Sequence, residues 1–451
     1  MPWDIIDEMK ILIAHNDYAR RSGEEAVVDK MSQIFEHLGY EVCQLRKSTA
    51  DSRDNLKGKI KGFVSGLYCP GGIKSMREAI KTEKPDVVNV HNLYPFISPA
   101  ALRECRKAGI PVVMTVHNYR LMCPTGLFAR DDRPCELCLQ KGNEWACIKY
   151  NCERSVLKSV GYAARNAVAR IRRDFLECVD AFACLTEFQR HKLIEAGFPE
   201  QKLIVIPNSI NSPNSRAALR PAPTVYNSPN SPNSLNSPNS RAALCPAPTV
   251  YNSLNSNNSQ NSPNSPNSPN SSNSYNSQNS PNSPGYVAYS GRISKEKGVD
   301  MIIEVAHKHP EIEFKLAGAV RDHDLIENVP QNVELKGYLK DDDLLRFYRE
   351  ASFFVMPSRW YEGFPMTILE AGSHAKTMIA PKHGAFPEII EGVGKMFVPG
   401  SIESLENAIV ETWNDKEYIM KSGERMYRKM VENYSMERVA AQWKSLIERL
   451  R

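Results

Sequence analysis

The segment FFVMPSRWYEGFPMTILEA occupies residues 353–371 and combines three kinds of local pattern. Its apolar beginning predicts a buried strand over 353–357, and its apolar spacing after the loop predicts a helix over 365–375. Pro365 stands where the first helical residue is expected, because proline has a suitable fixed φ and no N–H group to leave unpaired. A strand, a loop and a helix in this order are typical of a doubly wound α/β protein.

The loop in this segment has the features of a site for a polyhydroxylated anion. Peptide N–H groups at the start of a helix attract anions, and here they belong to Gly363, Phe364, Met366 and Thr367. Glu362 precedes the helix and Glu370 lies on it, so two carboxylates are available to hydroxyl groups at either end. The alternative is that Glu362 caps the helix and Glu370 is a solvated helix residue.

Short apolar strands alternate with helical stretches through most of the chain. The sequence therefore predicts two Rossmann-like doubly wound α/β domains, at residues 1–210 and 285–451, with parallel sheets. The last helix, at about 436–451, is expected to cross back onto the first domain. The strands expected are at 10–15, 40–45, 86–91, 110–117, 181–185, 203–206, 286–290, 314–318, 333–337, 353–357 and 377–380.

Residues 211–284 have a different composition from the rest of the chain. They contain no acidic residue and 13 of the 30 prolines, and the sequence at 214–228 recurs almost unchanged at 239–253. Asn-Ser-Pro triplets have too little apolar surface to offset the entropy lost on ordering. We therefore predict a disordered, low-complexity linker between the two domains.

A second motif, GRISKEKG at 291–298, follows the predicted strand 286–290. Gly291 at the strand end allows close approach of the backbone. Arg292 and Lys297 supply positive charge beside the next helix, in a combination that suits a diphosphate. The alternative is that Arg292 and Lys297 are ordinary surface charges, which a single Arg or Lys more often is.

Together these motifs resemble the glycosyltransferases of the GT-B fold, in particular the retaining family 4 (glycosyl transferases group 1). The resemblance covers all of the chain except 211–284. It rests on Glu362 and Glu370 separated by seven residues, on GRISKEKG, and on the further segments at 9–28, 86–93, 111–128, 206–209 and 383–390.

The resemblance implies roles for individual residues. Arg292 and Lys297 would neutralise the departing nucleotide diphosphate, and Glu370 would hold the ribose hydroxyls. Glu362 and the N–H groups of Gly363 and Phe364 would hold the donor sugar. His117 would face that sugar from the first domain and Gly23 would let a loop approach the diphosphate or the acceptor, whereas His91 is expected to be structural.

The activity implied is that of a hexosyltransferase-like enzyme that moves a sugar from a nucleotide-sugar donor to a glycan or lipid-linked acceptor, in cell-surface polysaccharide or glycoconjugate synthesis. Retention in this family is thought to proceed without a protein nucleophile, with the departing phosphate helping to take the acceptor's proton. The family needs no Asp-x-Asp metal clamp, and no catalytic cofactor is expected. Asp341, Asp342 and Asp343 are interpreted as the start of a helix. The alternatives are a GT-B-fold epimerase or phosphorylase, and a non-catalytic sugar-nucleotide-binding or interaction protein.

Five cysteines fall within thirty residues: Cys123, Cys135, Cys138, Cys147 and Cys152. The spacing of Cys135 and Cys138 is that of a zinc knuckle, and any four of the five thiolates would complete a structural zinc site. Free thiols are the alternative, because the other spacings are irregular.

Residues 154–173 carry six basic residues and no acid, with apolar residues interleaved, including Leu157, Val160 and Ile171. This pattern predicts an amphipathic helix that either lies on an anionic membrane or presents a solvated face above an ordinary core helix.

The net charge of +5 over 451 residues is too small for a protein that depends on bulk charge, so a nucleic-acid partner is not expected. No apolar run approaches the ~20 residues of a membrane-spanning helix, and the acidic beginning does not resemble a secretory signal. We therefore expect a cytoplasmic protein, either free or at the inner face of the membrane.

Overall fold

The computed structural model describes residues 9–17, 23–48, 62–63, 65–131, 133–210 and 285–451. The predicted linker at 211–284 lies outside the described residues. No helix among the residues described has both the length and the apolar character that crossing a membrane requires.

The first lobe is built on a six-stranded, entirely parallel sheet with the order β2-β1-β3-β4-β7-β8. A short antiparallel pair, β5 and β6, lies between β4 and β7 in the sequence. The strands are β1 Lys10–Asp17, β2 Glu41–Ser48, β3 Val87–Val90, β4 Val112–Val116, β5 Ala129–Arg130, β6 Arg133–Pro134, β7 Ala181–Cys184 and β8 Leu203–Val205.

Helices cover both faces of this sheet because its strands are apolar on both sides. Along β1, Leu12 and Ala14 enter one buried cluster, whereas Ile11 and Ile13 enter the other. The helices are α1 Gly23–His37, α2 Pro70–Glu83, α3 Leu102–Lys107, α4 Leu137–Lys141, α5 Trp145–Lys149, α6 Val156–Ile171, α7 Asp174–Cys178 and α8 Glu187–Glu195.

The second lobe repeats the same architecture with the strand order β11-β10-β9-β12-β13-β14, again entirely parallel. Two buried clusters again flank the sheet. The strands are β9 Val287–Ser290, β10 Phe314–Ala317, β11 Val333–Gly337, β12 Phe353–Val355, β13 Met378–Pro381 and β14 Lys395–Phe397. The helices are α9 Val299–Lys308, α10 Asp341–Glu350, α11 Met366–Ser373, α12 Phe386–Ile390, α13 Ile402–Asn414, α14 Lys416–Tyr434 and α15 Met436–Leu450.

These sheets confirm the predicted fold class of two doubly wound, Rossmann-like lobes. In such folds the strand order reverses at one point, and ligands bind beyond the carboxyl ends of the strands there. The reversal lies between β1 and β3 in the first lobe and between β9 and β12 in the second. These two sheet edges are therefore the places where a ligand site is expected.

The chain passes from the second lobe back to the first through its last helix. Trp443 on α15 is buried and packs edge-on against Phe35 of α1, with ring centroids 5.3 Å apart. The N–H of Ile210, at the end of the first lobe, donates to the carbonyl of Tyr434 at 2.9 Å. The two lobes thus share apolar contacts on the side where the chain crosses.

Two details differ from the expectations. Pro365 has ψ 115° and is the N-cap residue of α11, so the helix begins one residue later than predicted, at Met366. Helix α6 buries its small and polar residues, including Ser159 and Asn166, and not its large apolar ones. Leu157 and Ile171 are instead about three-quarters exposed, at 74% and 72%.

Candidate functional site

The loop between β9 and α9 packs on the end of β12. Gly298 has φ +71°, and a Cβ placed there would lie 2.1 Å from the carbonyl oxygen of Pro357. Because only glycine tolerates both conditions, the backbone of residues 291–298 is held close to the loop that follows β12. This contact places Lys297 beside Glu362.

We expect Gly298→Ala to lower the free energy of unfolding by about 3 kcal/mol, from left-handed strain of roughly 1–2 kcal/mol and the displacement of Pro357. Gly337→Ala is the matched control, since Gly337 has φ +64° but no atom within 4 Å of the added Cβ. Denaturant unfolding of both variants measures the difference. Equal losses would show that close packing at Gly298 is not required.

Glu362 is the centre of the polar contacts in this loop. Its Oε1 accepts hydrogen bonds from Ser358 Oγ at 2.6 Å, Trp360 Nε1 at 2.7 Å and Lys297 Nζ at 2.6 Å. Burial opposes ionisation of this carboxyl group, but the charge of Lys297 and the three donors outweigh it and lower its pKa. A buried, ionised carboxylate is thus held beside a lysine.

Arg292 occupies a more open position than Lys297. Its side chain is 44% exposed and lies 3.2 Å from Glu296, with the guanidinium 5.8 Å from the ring of Trp360. The Nζ of Lys297 lies 5.1 Å from the same ring. The two cations of the loop after β9 therefore lie within about 6 Å of the ring of Trp360.

Glu370 lies on α11, one face of which approaches the end of β9. Its Oε2 accepts a hydrogen bond from Tyr348 at 2.5 Å. Burial, followed by the charge of Glu370, raises the pKa of the Tyr348 phenol well above its usual value, so this phenol remains a donor. Lys30 of the first lobe is close enough for the charge of Glu370 to act on it, although burial lowers the pKa of Lys30 to about 8.

The start of α11 contacts the first lobe. A Cβ placed on Gly363 would lie 3.0 Å from the carbonyl oxygen of His117. The Tyr119 hydroxyl donates to the backbone carbonyl of Glu362 at 3.0 Å. Phe364 is buried, and the Thr367 hydroxyl donates to the carbonyl of Ser290 at 3.1 Å, which ties the helix to β9. The structure therefore brings Glu362, Gly363 and His117 together.

A second contact joins the lobes nearby. The carboxylate of Glu388, in the segment after β13, accepts hydrogen bonds from the N–H groups of Glu187 and Phe188 at 3.1 and 3.3 Å. These are the first residues of α8, so a side chain of one lobe caps a helix of the other.

His117 belongs to a row of three histidines at the carboxyl ends of β1, β3 and β4, of which His15 and His91 are buried and His117 is partly buried. His91 Nδ1 and His117 Nε2 are 2.6 Å apart, with the rings stacked, and His15 lies edge-on to His91. One of these two nitrogens carries the shared hydrogen, so the tautomers of His91 and His117 are coupled, a contact that the sequence analysis missed. The available signal was that both histidines follow a strand of one parallel sheet.

Burial lowers the pKa of His15, His91 and His117 below the ordinary value of 6.5. The charges of Glu24 and Asp17 oppose the shift of His15, and that of Arg46 adds to it. The unfolded chain takes up protons below pH 6.5 that the folded chain excludes, so the stability from these groups is complete above pH 6.5 and is lost as the pH falls.

We expect a loss of about 2 kcal/mol or more in the free energy of unfolding between pH 7 and pH 5. His91→Asn is expected to reduce this slope, whereas the same substitution at the exposed His307 leaves it unchanged. Denaturant unfolding at a series of pH values measures the slope. A slope unaffected by His91→Asn would contradict the assignment.

Gly23 and Glu24 are the first two residues of α1 in the first lobe. Gly23 is the exposed first residue of α1, with no atom within 4 Å of an added Cβ. Glu24 lines a small cavity with His91, His117 and Arg120. Arg120 and Tyr94 also line a larger cavity of about 160 Å³, which continues away from the histidines between α6 and α7.

Among the described residues, one group of three possible metal ligands has its ligand atoms within 4.8 Å of one another. It consists of His15, Asp17 and Glu25. The geometry favours charge contacts around Asp17 over a metal centre. His15 Nδ1 accepts from the N–H of Asn92 at 3.3 Å, so the proton of the neutral ring is on Nε2, which faces Asp17 at 3.6 Å. Arg46 also lies 3.2 Å from Asp17 and supplies the positive charge there.

The five cysteines considered as zinc ligands are all free thiols in the first lobe, in the segment between β4 and α6. Cys123 and Cys147 are buried, and Cys135, Cys138 and Cys152 are partly exposed.

Two family models match the chain. The model described as Glycosyltransferase Family 4 matches residues 22–212, and the model described as Glycosyl transferases group 1 matches residues 271–433. Between them the two matches include nearly all of both lobes.

Individual relatives resemble parts of the chain. An alpha-galactosylglucosyldiacylglycerol synthase of Streptococcus pneumoniae is 27% identical over 36% of this chain and 45% of its own length. An uncharacterized glycosyltransferase of Methanocaldococcus jannaschii is 35% identical over 30% of this chain and 40% of its own length. The chain thus matches less than half the length of these curated relatives.

A solved structure resembles the whole fold. Anabaena HepE, in complex with UDP and glucose, has a TM-score of 0.57 and 13% identity, over 98% of this chain and all of its own. At this identity the likeness concerns the fold alone.

Proposed function

Because the chain belongs to the group 1 (family 4) glycosyltransferases of the GT-B fold, we propose that it transfers a hexose from a nucleotide-sugar donor to a glycan or lipid-linked acceptor, with retention of anomeric configuration. The process proposed is cell-surface polysaccharide or glycoconjugate synthesis. The observation that carries the proposal is the buried Glu362–Lys297 pair at the strand reversal of the second lobe, next to Gly363, which packs against the carbonyl oxygen of His117.

The donor diphosphate binds at the end of β9 in this proposal. Lys297 gives one of its three N–H donors to Glu362 and retains two for phosphate oxygens. Arg292, partly exposed beside the same indole, supplies the second cation. As the bond to the sugar breaks, charge develops on the diphosphate, and pre-positioned cations are the usual way to stabilise it.

The carboxylates hold the two sugars of the donor. Glu370, which already accepts a hydrogen bond from Tyr348, also accepts hydrogen bonds from the ribose hydroxyls. Glu362 and the N–H groups of Gly363 and Phe364 hold the transferred sugar. His117 faces that sugar from the first lobe as a neutral ring, because its pKa is lowered by burial. The acceptor oxygen bonds to the anomeric carbon on the face from which the diphosphate departs, so no side-chain nucleophile is required. The bond from that carbon to the diphosphate breaks, and the departing phosphate takes the proton of the acceptor hydroxyl.

The acceptor enters from the first lobe. Two cavities share Tyr94 and Arg120 in their lining, and the smaller of them is also lined by His91 and His117. Apolar residues such as Leu121, Met122 and Phe175 form much of the wall of the larger cavity, which suits an acceptor that carries a lipid. The name of the streptococcal relative describes the synthesis of a glycolipid, which supports this acceptor class.

Part of the first-lobe surface suits contact with an anionic membrane. Trp145, Val156 and Leu157 are exposed at 63%, 64% and 74%. Lys149 and Lys158 are exposed beside them. Exposed apolar residues with adjacent cations are typical of surfaces that bind anionic bilayers, and a peripheral location would bring the enzyme to a lipid-linked acceptor.

Sedimentation with vesicles that contain anionic phospholipid tests this contact. The protein is expected to sediment with them, and Leu157→Glu is expected to reduce binding at least tenfold. Leu345→Glu, at a half-exposed leucine of the second lobe, is the control. Equal binding by the two variants would refute the proposed surface.

Two measurements test the enzymatic function. Thermal shifts with UDP, GDP and ADP identify the donor base, since a ligand at 100 times its dissociation constant adds about 2.7 kcal/mol of stability. The matching nucleotide sugars are then assayed for acceptor-dependent nucleotide release, with the product's anomeric configuration determined by NMR. Stabilisation by none of the three nucleotides refutes the donor site. Acceptor-independent conversion of the donor, or turnover that requires inorganic phosphate, identifies an epimerase or a phosphorylase instead.

A further inference from the structure

The two cavities of the first lobe adjoin each other at Arg120. Four residues belong to the lining of both: Tyr94, Arg120, Leu121 and Phe175. The smaller cavity is also lined by His117, whereas the larger one, of about 160 Å³, is lined by residues of α4, α6, α7 and α8. A ligand that occupies both cavities therefore passes beside Arg120.

Neutral amide groups hold Arg120 in place. Its Nη1 donates to Asn92 Oδ1 at 2.9 Å, and the same oxygen accepts a hydrogen bond from the N–H of Tyr94 at 3.1 Å. The N–H of Arg120 donates to Asn118 Oδ1 at 3.0 Å, and its carbonyl accepts from Asn166 Nδ2 at 2.5 Å. These contacts fix the guanidinium close to Tyr94 without placing a negative charge there.

A second arginine lies against the ring of Tyr94. The guanidinium carbon of Arg165 is 4.7 Å from the centre of this ring and 3.9 Å from that of Tyr162. Its Nη2 donates to the carbonyl of Pro124 at 2.8 Å, and its buried Nε has no hydrogen-bond partner in the part of the chain that the structure describes. Burial, followed by the charge of Arg120, lowers the pKa of Arg165 to about 10, so this group is still protonated at pH 7.

The other charged groups that line the larger cavity already have partners of opposite charge: Arg170 pairs with Glu144, Arg173 with Glu177, and Glu195 with Lys192. Among the described residues, Arg165 forms no ion pair, and the charge of Glu153 affects its pKa less than that of Arg120 does. A buried cation is costly without a counter-charge. An anion that binds beside Tyr94 is therefore stabilised by this arginine.

The lining of the larger cavity suits an anion that carries a hydrocarbon chain. Apolar residues form much of its wall: Leu121, Met122, Leu139, Phe175 and Phe198. A phosphate ester carries about 1.5 to 2 negative charges near neutral pH, which matches two arginines better than the single charge of a carboxylate does. Guanidinium groups also bind phosphate oxygens through parallel N–H donors. A lipid phosphate therefore combines the charge and the apolar surface that this site can accommodate.

We propose that the acceptor is a phosphate-bearing lipid, an inference that rests on the transferase function proposed above. Its phosphate binds the guanidinium of Arg120, and Arg165 adds a second positive charge next to Tyr94. The hydrocarbon chain occupies the larger cavity, and the hydroxyl that receives the hexose lies in the smaller cavity, which is lined by His117. Arg120 thus selects lipids that carry a phosphate.

Isothermal titration calorimetry of the full-length protein tests this chemistry with three compounds: octyl phosphate, octanol and inorganic phosphate. We expect octyl phosphate to bind about tenfold or more tightly than either of the others, because only it has both the anion and the chain. Equal binding of octanol would show that the phosphate is not recognised, and equal binding of inorganic phosphate would show that the chain is not. Either result, or no binding of octyl phosphate, would overturn the proposal.

Substitution of single arginines locates the site. Arg120→Met is expected to weaken the binding of octyl phosphate about tenfold or more and to leave that of octanol unchanged. Arg106→Met is the matched control, at an arginine of α3 whose side chain is 57% exposed, and is expected to bind octyl phosphate like the wild type. No loss in Arg120→Met, an equal loss in both variants, or a loss in Arg292→Met of the donor site alone would refute binding at Arg120.

Arg120→Lys keeps the charge and is expected to bind octyl phosphate more tightly than Arg120→Met. Equal binding by these two variants would contradict a role for the charge. If Arg120→Met fails to fold, Arg120→Lys and the three wild-type titrations decide the question.

Nucleotide binding separates this proposal from the transferase function. Thermal stabilisation by the nucleoside diphosphate, bound at the second lobe, should be the same in the wild type and in Arg120→Met. A protein that a nucleotide stabilises, but that binds octyl phosphate no more tightly than octanol, retains the proposed transfer and refutes the phosphate-bearing acceptor. A protein that no nucleotide stabilises loses the proposed transfer, and with it the assignment of the lipid as acceptor.

Discussion

Replacement of Glu362 by glutamine is expected to lower kcat/KM for the nucleotide-sugar donor by about 100- to 1,000-fold, the usual effect of removing one pre-positioned polar contact from a transition state. Glutamine preserves the shape of the side chain but not its charge. The ammonium of Lys297 and the donors of Ser358 and Trp360 all meet the same oxygen of Glu362. A neutral amide therefore holds them more weakly and no longer balances the lysine. Steady-state assays of nucleotide release measure the effect.

Glu334→Gln is the matched control for this prediction. Glu334 is half exposed and pairs with Lys336 at 2.7 Å, nearly the distance found between Glu362 and Lys297. Loss of its charge should leave kcat/KM within about twofold of the wild-type value, because an exposed ion pair contributes little. Full activity in Glu362→Gln would remove this residue from the proposed mechanism.

The second large effect is expected from Lys297→Met, and it concerns stability as well as activity. Methionine retains most of the side chain's volume but leaves the Glu362 carboxylate buried without its cation. Removal of one partner from a buried pair typically costs 3–5 kcal/mol. The side chains of Lys297 and Glu362 are only 16% and 11% exposed, so solvent screening is weak. Denaturant unfolding of the variant measures this loss.

A double variant separates the stability effect from the catalytic one. Lys297→Met combined with Glu362→Gln removes the unpaired charge, so it is expected to recover at least 1 kcal/mol relative to Lys297→Met alone, while remaining inactive. Lys336→Met should change stability by less than about 1 kcal/mol. If Lys297→Met and Lys336→Met lose equal stability, then burial of the Lys297–Glu362 pair does not account for its contribution to stability.

Much of the fold could be predicted because it depends on local patterns. The runs that become β1, β4 and β12 are short and apolar on both faces, and only a parallel sheet covered on both sides buries such strands. Glycine and charged residues at the strand ends, such as Gly291 and Arg292, then led to the prediction of a ligand site at that edge of the sheet. Adjacent residues carry these signals, so no knowledge of distant contacts was needed.

The contacts that the sequence analysis missed are all between distant residues. His91 and His117 are 26 positions apart and meet because β3 and β4 are neighbours in the sheet. Lys30 reaches the charge of Glu370 only because α1 faces the second lobe. The buried face of α6 was also misjudged, since the larger cavity and the packing of α5 decide which side of that helix is covered.

The sequence by itself determined the two parallel sheets and the strand ends at which a ligand site is expected, together with the residue types proposed there for a diphosphate and for hydroxyl groups. Only the tertiary structure decided that Glu362 pairs with Lys297, that Gly363 packs against the carbonyl oxygen of His117, and that the rings of His91 and His117 stack. The physical reason is that backbone propensity and hydrophobic periodicity act over a few neighbouring residues. Side-chain pairing depends instead on how whole strands and helices are placed against each other by the burial of their apolar faces.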